Sequence, residues 1–336
     1  MTAHRDTGTA LVVILTRSDI DQLLDPTACI AAVEAAFRML ANGAMRSAIL
    51  GLHVADGGFH AKAAAMPGKR PYFAAKVNAN FPGNPLRHGL PTIQGVLALF
   101  DAATGEPLAL MDSIAITILR TAAATAIAAR HLARADAGTM TIVGCGAQAL
   151  AQIVAVRTVR PVARVFALDI DTARRDAFAR AATDILGIPV LAAEDLSRAT
   201  LASDIIVTCT TSRRAFLGPE HVSPGAFVAA VGADNAEKQE IDPRLLAVSA
   251  LVVDSLEQCA SIGDLHHAIA TGAMSATDIR AELGDVVADP TRARRREEEI
   301  VIFDSTGVAV QDVAAAALVY ERAVSRGLGI RVTLGS

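Results

Sequence analysis

Thr139-Met-Thr-Ile-Val-Gly144-Cys-Gly146-Ala-Gln148-Ala, followed about twenty residues later by Val165-Phe-Ala-Leu-Asp169, is the stretch whose reading decides the fold. The short β-branched run predicts a buried strand. Gly144 and Gly146 permit a tight turn and close backbone approach, and an alanine-rich helix is expected to begin near Ala147. Such a turn aims free N–H groups at a helix N-terminus, where a pyrophosphate can be held, and Ala147 and Gln148 belong to that turn. Asp169, at the end of the next strand, is placed to hydrogen-bond a ribose hydroxyl. Position 149 is Ala where the usual fingerprint has a third glycine, a replacement that position tolerates. A βαβ turn without a ligand would share the glycines. Strand, helix and distal acid together favour a dinucleotide.

Working outward, strands are expected near 140–144, 164–169, 188–192, 204–209, 226–231, 250–254 and 299–304, alternating with helices. That alternation calls for an α/β fold with a mostly parallel, doubly wound sheet. An alanine-rich helix, Ile116 to Ala133, precedes it. The first hundred residues differ. A strand is expected at Leu11-Val-Val-Ile-Leu and a helix from Asp25 to about Ala41. Segments from Ala48 to Phe100 then alternate and carry Gly57-Gly58, Pro67-Gly68 and Pro82-Gly83-Asn84-Pro85, which reads as antiparallel strands joined by turns. Gln311 to Arg326 reads as an amphipathic helix folding back on that part. The expected division is 1–115 plus 311–336 for a discontinuous substrate domain and 116–310 for the nucleotide fold, in line with about two domains for 336 residues.

Composition narrows the function classes. A net charge of −4, 4% aromatics and no Trp argue against a nucleic-acid surface. The run Arg292 to Glu299 (RARRREEE) nearly cancels itself and reads as a solvated helix or loop. Cys29, Cys145, Cys209 and Cys259 lack metal or disulfide spacing, which suits reduced thiols in a cytoplasmic protein. No apolar run of about eighteen residues escapes a charge or turn signal, so no membrane span is expected. The start, Met1-Thr-Ala-His-Arg-Asp, lacks a signal-peptide pattern. The histidines follow no metal spacing, and His266 and His267 are expected to face apart on a helix, so no metal site is expected.

Three basic residues outside the glycine-turn fingerprint are candidates for holding an anionic substrate. Lys76 lies in an apolar strand, where an unpaired ammonium is costly to bury; Arg120 lies in the alanine-rich helix; Arg46 follows the first helix. A solvent-facing or snorkelling side chain is the bland alternative for each. Asp234 follows a buried-type strand at its C-terminal end, where open α/β sheets place ligands, although a turn acid can also simply cap.

These pieces in this order resemble the ornithine cyclodeaminase/μ-crystallin family: Met66-Pro67, Lys76-Val-Asn, Gly89-Leu-Pro-Thr92, Asp101-Ala-Ala-Thr-Gly105 and Leu119-Arg120-Thr121-Ala-Ala. They continue with Gly144-Cys-Gly-Ala-Gln-Ala, Gly232-Ala-Asp234, Lys238-Gln-Glu240 and Phe303-Asp-Ser-Thr-Gly307. The resemblance implies a Rossmann-type dinucleotide-binding domain beside an α+β substrate and dimerisation domain, with a homodimer formed through the N-terminal sheets. It implies that Arg46, Lys76 and Arg120 hold the carboxylate of an amino or imino acid, and that Asp234 handles the proton or stabilises the iminium. Asp234 and Lys76 are thus the candidate catalytic residues. Thr92, Thr121, Thr210, Gly232, Ser305 and Thr306 join Gly144, Gly146, Ala147, Gln148 and Asp169 as candidate cofactor contacts.

One departure bears on the substrate. Ornithine cyclodeaminases carry a glutamate two residues before the Met-Pro pair, and here that position is Ala64. A methyl leaves a distal ammonium without its partner, a loss of roughly 3–5 kcal/mol if buried. Lys62 nearby makes the site less hospitable still. The sequence looks closest to the branch that reduces Δ1-pyrroline-2-carboxylate, and often the six-membered analogue, to L-proline or L-pipecolate, as in trans-3-hydroxy-L-proline catabolism. Alanine dehydrogenase chemistry, ornithine cyclodeamination and a non-catalytic binding role are the alternatives. Asp169 favours NADH, while Arg174 and Arg175 leave room for NADPH.

Overall fold

The computed structural model describes residues 11–334, so the Met1–Asp6 reading lies outside the described residues. The chain forms two compact units. The first comprises the described parts of residues 1–36, 42–117 and 309–336; the second comprises 37–41 and 118–308.

The first unit is a seven-stranded sheet. Its strands are β1 (Leu11–Leu15), β2 (Arg46–Val54), β3 (Gly57–Met66), β4 (Tyr72–Asn80), β5 (Ile93–Asp101) and β6 (Pro107–Asp112), with Ile330–Thr333 closing the chain. The sheet runs from the closing strand through β1, β6, β5, β4 and β3 to β2 at the edge. Neighbours from β2 to β6 pair antiparallel, and β1 lies parallel to β6. One face buries Val13, Leu15, Ala64, Ala74, Leu97, Leu99 and Met111. Helix Ala309–Arg326 packs on β2 to β6, burying Val310, Val313, Ala317 and other apolar residues at helical spacing.

The second unit carries β7 (Thr139–Val143), β8 (Arg164–Leu168), β9 (Val190–Ala192), β10 (Ile205–Thr208), β11 (Arg213–Leu217), β12 (Phe227–Ala230), β13 (Gln239–Ile241), β14 (Ala250–Val253), β15 (Ala281–Glu282) and β16 (Val301–Asp304). Eight of these form a wholly parallel sheet, ordered β15-β14-β16-β12-β10-β7-β8-β9, while β11 and β13 pair separately. The central strands are buried on both faces, hence their unbroken apolar runs. The chain leaves β7 toward β8 and β9, then returns to β10 on the other side. The switch point therefore lies at the carboxyl ends of β7 and β10.

Several expectations shift. The alanine-rich helix is Ser113–Leu132, beginning before Ile116 because the Asp112 carboxylate caps it, accepting from the N–H groups of Ile114 (3.0 Å) and Ala115 (2.9 Å). By length and hydropathy it could cross a bilayer, but 72% of its apolar window is buried in the protein, as in a core helix. The Arg292–Glu299 run is only partly solvated. Arg294 donates to the carbonyls of Leu132 (2.9 Å) and Ala226 (3.2 Å), and Glu299 forms a two-point ion pair with Arg280 at 2.5 and 2.9 Å. His266 and His267 meet edge to face, with ring centroids 5.2 Å apart, instead of facing apart.

Candidate functional site

In the parallel unit the chain turns sharply after β7. Gly144 has φ +98°, and a Cβ there would sit 2.9 Å from the Cys209 carbonyl after β10, so both conformation and space require glycine. The Asp169 carboxylate accepts from the Cys145 N–H and the Asp171 N–H, each at 2.9 Å, fastening the turn to the end of β8. The helix begins at Ala149, after a turn closed by the Ala149 N–H on the Gly146 carbonyl. Among the described residues, no protein acceptor is paired with the N–H of Gly146, Ala147 or Gln148. A Cβ added at Gly146 would meet nothing within 4 Å. Open space over amides at a helix start suits an anion such as a pyrophosphate. Burial pushes the Cys145 thiol up to about 12 and the Cys209 thiol well above its ordinary value, which disfavours a thiolate at the turn.

Glu240, which the sequence offered only as part of the resemblance and with no role, organises one side of this half. It is fully buried and gathers the loops after β10 and β12. One carboxylate oxygen accepts from the Thr210 N–H and hydroxyl (both 2.7 Å), the other from the Thr208 hydroxyl (2.6 Å) and the Gly232 N–H (2.8 Å). Burial raises its pKa while those four bonds pull it back. A Cβ on Gly232 would lie 2.5 Å from both this carboxylate and the Thr210 carbonyl. Thr210 therefore turns its hydroxyl inward. Beneath, Asp264 accepts from the N–H groups of Glu240 and Ile241, both at 2.9 Å.

Asp254 does the same for the last loop. It accepts from the hydroxyls of Ser305 (3.3 Å) and Thr306 (3.0 Å) and the Gly307 N–H (2.6 Å). Gly307 has φ +79°, and a Cβ there would lie 2.5 Å from an Arg120 guanidinium nitrogen. Arg120 is buried in the long helix, as is Thr121 one residue on. Asp234 is exposed on the loop after β12 and pairs with Lys238 at 2.7 Å; the Lys238 carbonyl in turn contacts His267 Nε2 at 2.9 Å. The spacing of these acids from their partners in sequence, not their type, hid the roles of Glu240 and Asp254.

In the antiparallel unit Lys76 is 3% exposed and its ammonium is 2.8 Å from Asp312 of the C-terminal helix and 3.3 Å from the Thr117 hydroxyl. Asp312 supplies a counter-charge to this buried ammonium. Ala64 lies directly opposite Ala74, each 2% exposed, so no carboxylate stands at that position of the sheet. Arg46 is exposed at the first position of β2. By register it faces away from Lys76, since it lies opposite Ala65, an odd-numbered partner, whereas Lys62 lies opposite Lys76. Thr92 is half-buried just before β5.

A glycine turn at the switch point of a parallel sheet, joined in one chain to a meander with a buried Lys–Asp pair, matches one family over residues 11–327. This chain belongs to the ornithine cyclodeaminase/mu-crystallin family. It is 38% identical over 322 residues to the alanine dehydrogenase of Archaeoglobus fulgidus, covering 95% of this chain and 98% of that one. To the iminosuccinate reductase of Paracoccus denitrificans it is 34% identical over 334 residues, covering 96% and 100%. Among solved structures, an archaeal alanine dehydrogenase dimer with bound NAD superposes with a TM-score of 0.92 at 36% identity, over 97% of this chain and 100% of that one. The Δ1-pyrroline-2-carboxylate reductase of Thermococcus litoralis, with NADH and L-proline, gives a TM-score of 0.92 at 32% identity, over 96% and 100%. The Rossmann-type α/β fold is thus the family's fold.

Proposed function

We propose that the protein is an NAD(P)H-dependent reductase of a cyclic imino acid, Δ1-pyrroline-2-carboxylate or its six-membered analogue, giving L-proline or L-pipecolate. The observation that carries this reading is the buried Lys76 ammonium beside the Ala64–Ala74 pair: a cation for a carboxylate, and methyl groups where a distal amine would need an acid. The dinucleotide, when bound, supplies the hydride, which ends on C2 of the protonated imine as the C=N bond becomes C–N. Gly144, Gly146, Ala147 and Gln148 hold its pyrophosphate and Asp169 its ribose. Thr92, Thr121, Thr210, Gly232, Ser305 and Thr306 line its remaining contacts. NADH is the preferred form, because the Asp169 carboxylate repels a 2′-phosphate.

Lys76 and Arg120 hold the substrate carboxylate. The third cation of the resemblance, Arg46, is the weakest of the set because it is exposed and faces the other way. Asp234 stabilises the positive charge on the imine nitrogen. The four cysteines form no disulfide among the described residues, in keeping with the proposal of a cytoplasmic enzyme. A second reading, reductive amination of a 2-keto acid, is favoured by the similarity to the alanine dehydrogenase and uses the same cations.

A homodimer is part of the proposal. The sheet face opposite Lys76 presents a row Leu50, Ala61, Val77 and Val96, with Leu50 66% and Val96 56% exposed. An apolar area of that kind suits a second copy of the sheet. NADH oxidation at 340 nm with Δ1-pyrroline-2-carboxylate and with pyruvate plus ammonia, together with proline and ammonia release from ornithine in the presence of NAD+, tests the reading. Rapid oxidation with the imine alone supports it; turnover only in another arm replaces it.

A further inference from the structure

The antiparallel register holds a second cation beside Lys76. Lys62 of β3 lies directly opposite Lys76 of β4, so both side chains rise from the same sheet face. Their row continues through Leu97 and Met111 to Leu15, all buried, and reaches Ile49 on the edge strand. The neighbouring row on one side holds Ala64, Ala74 and Leu99, and on the other His60, Asn78 and Gly95. Two ammonium groups directly opposite one another repel. Asp312 offsets the charge on Lys76. A carboxylate shared by both ammoniums would stabilise the pair, since its two oxygens match two point-charge donors.

We propose that Lys62 and Lys76 together bind the substrate carboxylate, with Lys62 in the role that the resemblance gives to Arg46. This rests on the reading of the substrate as a carboxylic acid made above. The register supports the exchange: Arg46, opposite Ala65, belongs to the other face. Specificity follows from the same geometry. Two cations flanked on one side by the Ala64 and Ala74 methyl groups select 2-imino acids whose remaining part is neutral or acidic over those with a basic tail.

The test compares Lys62→Met with Arg46→Met in steady-state kinetics with Δ1-pyrroline-2-carboxylate, using melting temperature to verify folding. The expected result for Lys62→Met is a KM for the imine raised about tenfold or more, with kcat and the KM for NADH within about threefold. Lys62→Arg should restore most of the loss, and Arg46→Met should lose less than Lys62→Met. A Lys62→Met enzyme within about twofold of wild type, or a larger loss at Arg46, overturns the assignment. Should Lys62→Met fail to fold, Lys62→Gln is judged by the same criteria. If the wild type oxidises NADH with no imine, the reading of function fails by itself. Lys62 is then judged by calorimetric binding of pyrrole-2-carboxylate to the NAD-saturated protein: loss in the variant supports the pair, and equal binding overturns it.

Discussion

In the parallel sheet the groups proposed to meet a ligand are backbone amides of Gly146, Ala147 and Gln148, set by one short turn. In the antiparallel sheet they are side-chain ammoniums, and the acid paired with Lys76, Asp312, lies 236 positions away in the chain. The first arrangement depends on local conformation and empty space. The second depends on register, on a buried counter-charge and on the C-terminal helix reaching the sheet. The two halves should therefore break in different ways: the turn should lose ligand without losing fold, and the sheet face should lose fold first.

The largest effect is expected at Asp312. Asp312→Asn leaves the Lys76 ammonium buried without its counter-charge, and stability should fall by roughly 3–5 kcal/mol in chemical denaturation. The double variant Lys76→Met/Asp312→Leu should recover much of that; an additive double loss would show that the pair is not what holds the helix to the sheet. Next comes Glu240→Gln, which puts an NH2 against donors that now point at a carboxylate oxygen. A loss of about 2–3 kcal/mol is expected, with weaker NADH binding because the loops after β10 and β12 loosen together. Unchanged NADH affinity would make Glu240 purely structural.

Gly146→Val sharpens the contrast from the other side. Nothing within 4 Å opposes its Cβ and its φ is not positive, so the melting temperature should hold. Dinucleotide affinity should fall about tenfold or more, because the added methyls fill the space over the amides. A variant that melts early yet binds NADH normally would reverse the account of that turn.

The smallest effect is a pH slope. Burial raises the Asp304 carboxyl from 3.8 to about 7, so the native state holds a proton that the unfolded chain has already released. That contribution to stability is complete below pH 3.8 and is lost as pH rises toward 7, at no more than about 1.4 kcal/mol per pH unit. Asp304→Asn, neutral throughout, should flatten the decline across that window. A parallel decline in both proteins would place the titration elsewhere.

What the sequence shows and hides follows the same division. The Gly144–Gly146 turn, its strand and Asp169 are legible because their spacing is local and each residue type has a backbone reason. The alternation from β7 to β16 is legible because a parallel sheet buried on both faces reads as short apolar runs. Lys76 stands out as a cation in an apolar strand, but its pairing with Asp312 does not, because a helix acid at such a distance carries no spacing signal. Asp254 escaped, and Glu240 was given no role, for the same reason. The opposed positions of Lys62 and Lys76, and the turning away of Arg46, depend on a hairpin register fixed by the Val54–Gly57 turn, which no composition rule specifies.

The measurement that bears most directly on the account is the fate of the hydride. With NADH carrying deuterium at both C4 positions of the nicotinamide and Δ1-pyrroline-2-carboxylate as substrate, the product examined by NMR should be L-proline with deuterium at C2. Proline without deuterium at C2, or no proline while pyruvate and ammonia give labelled alanine, would contradict the assignment of this protein as a cyclic imine reductase.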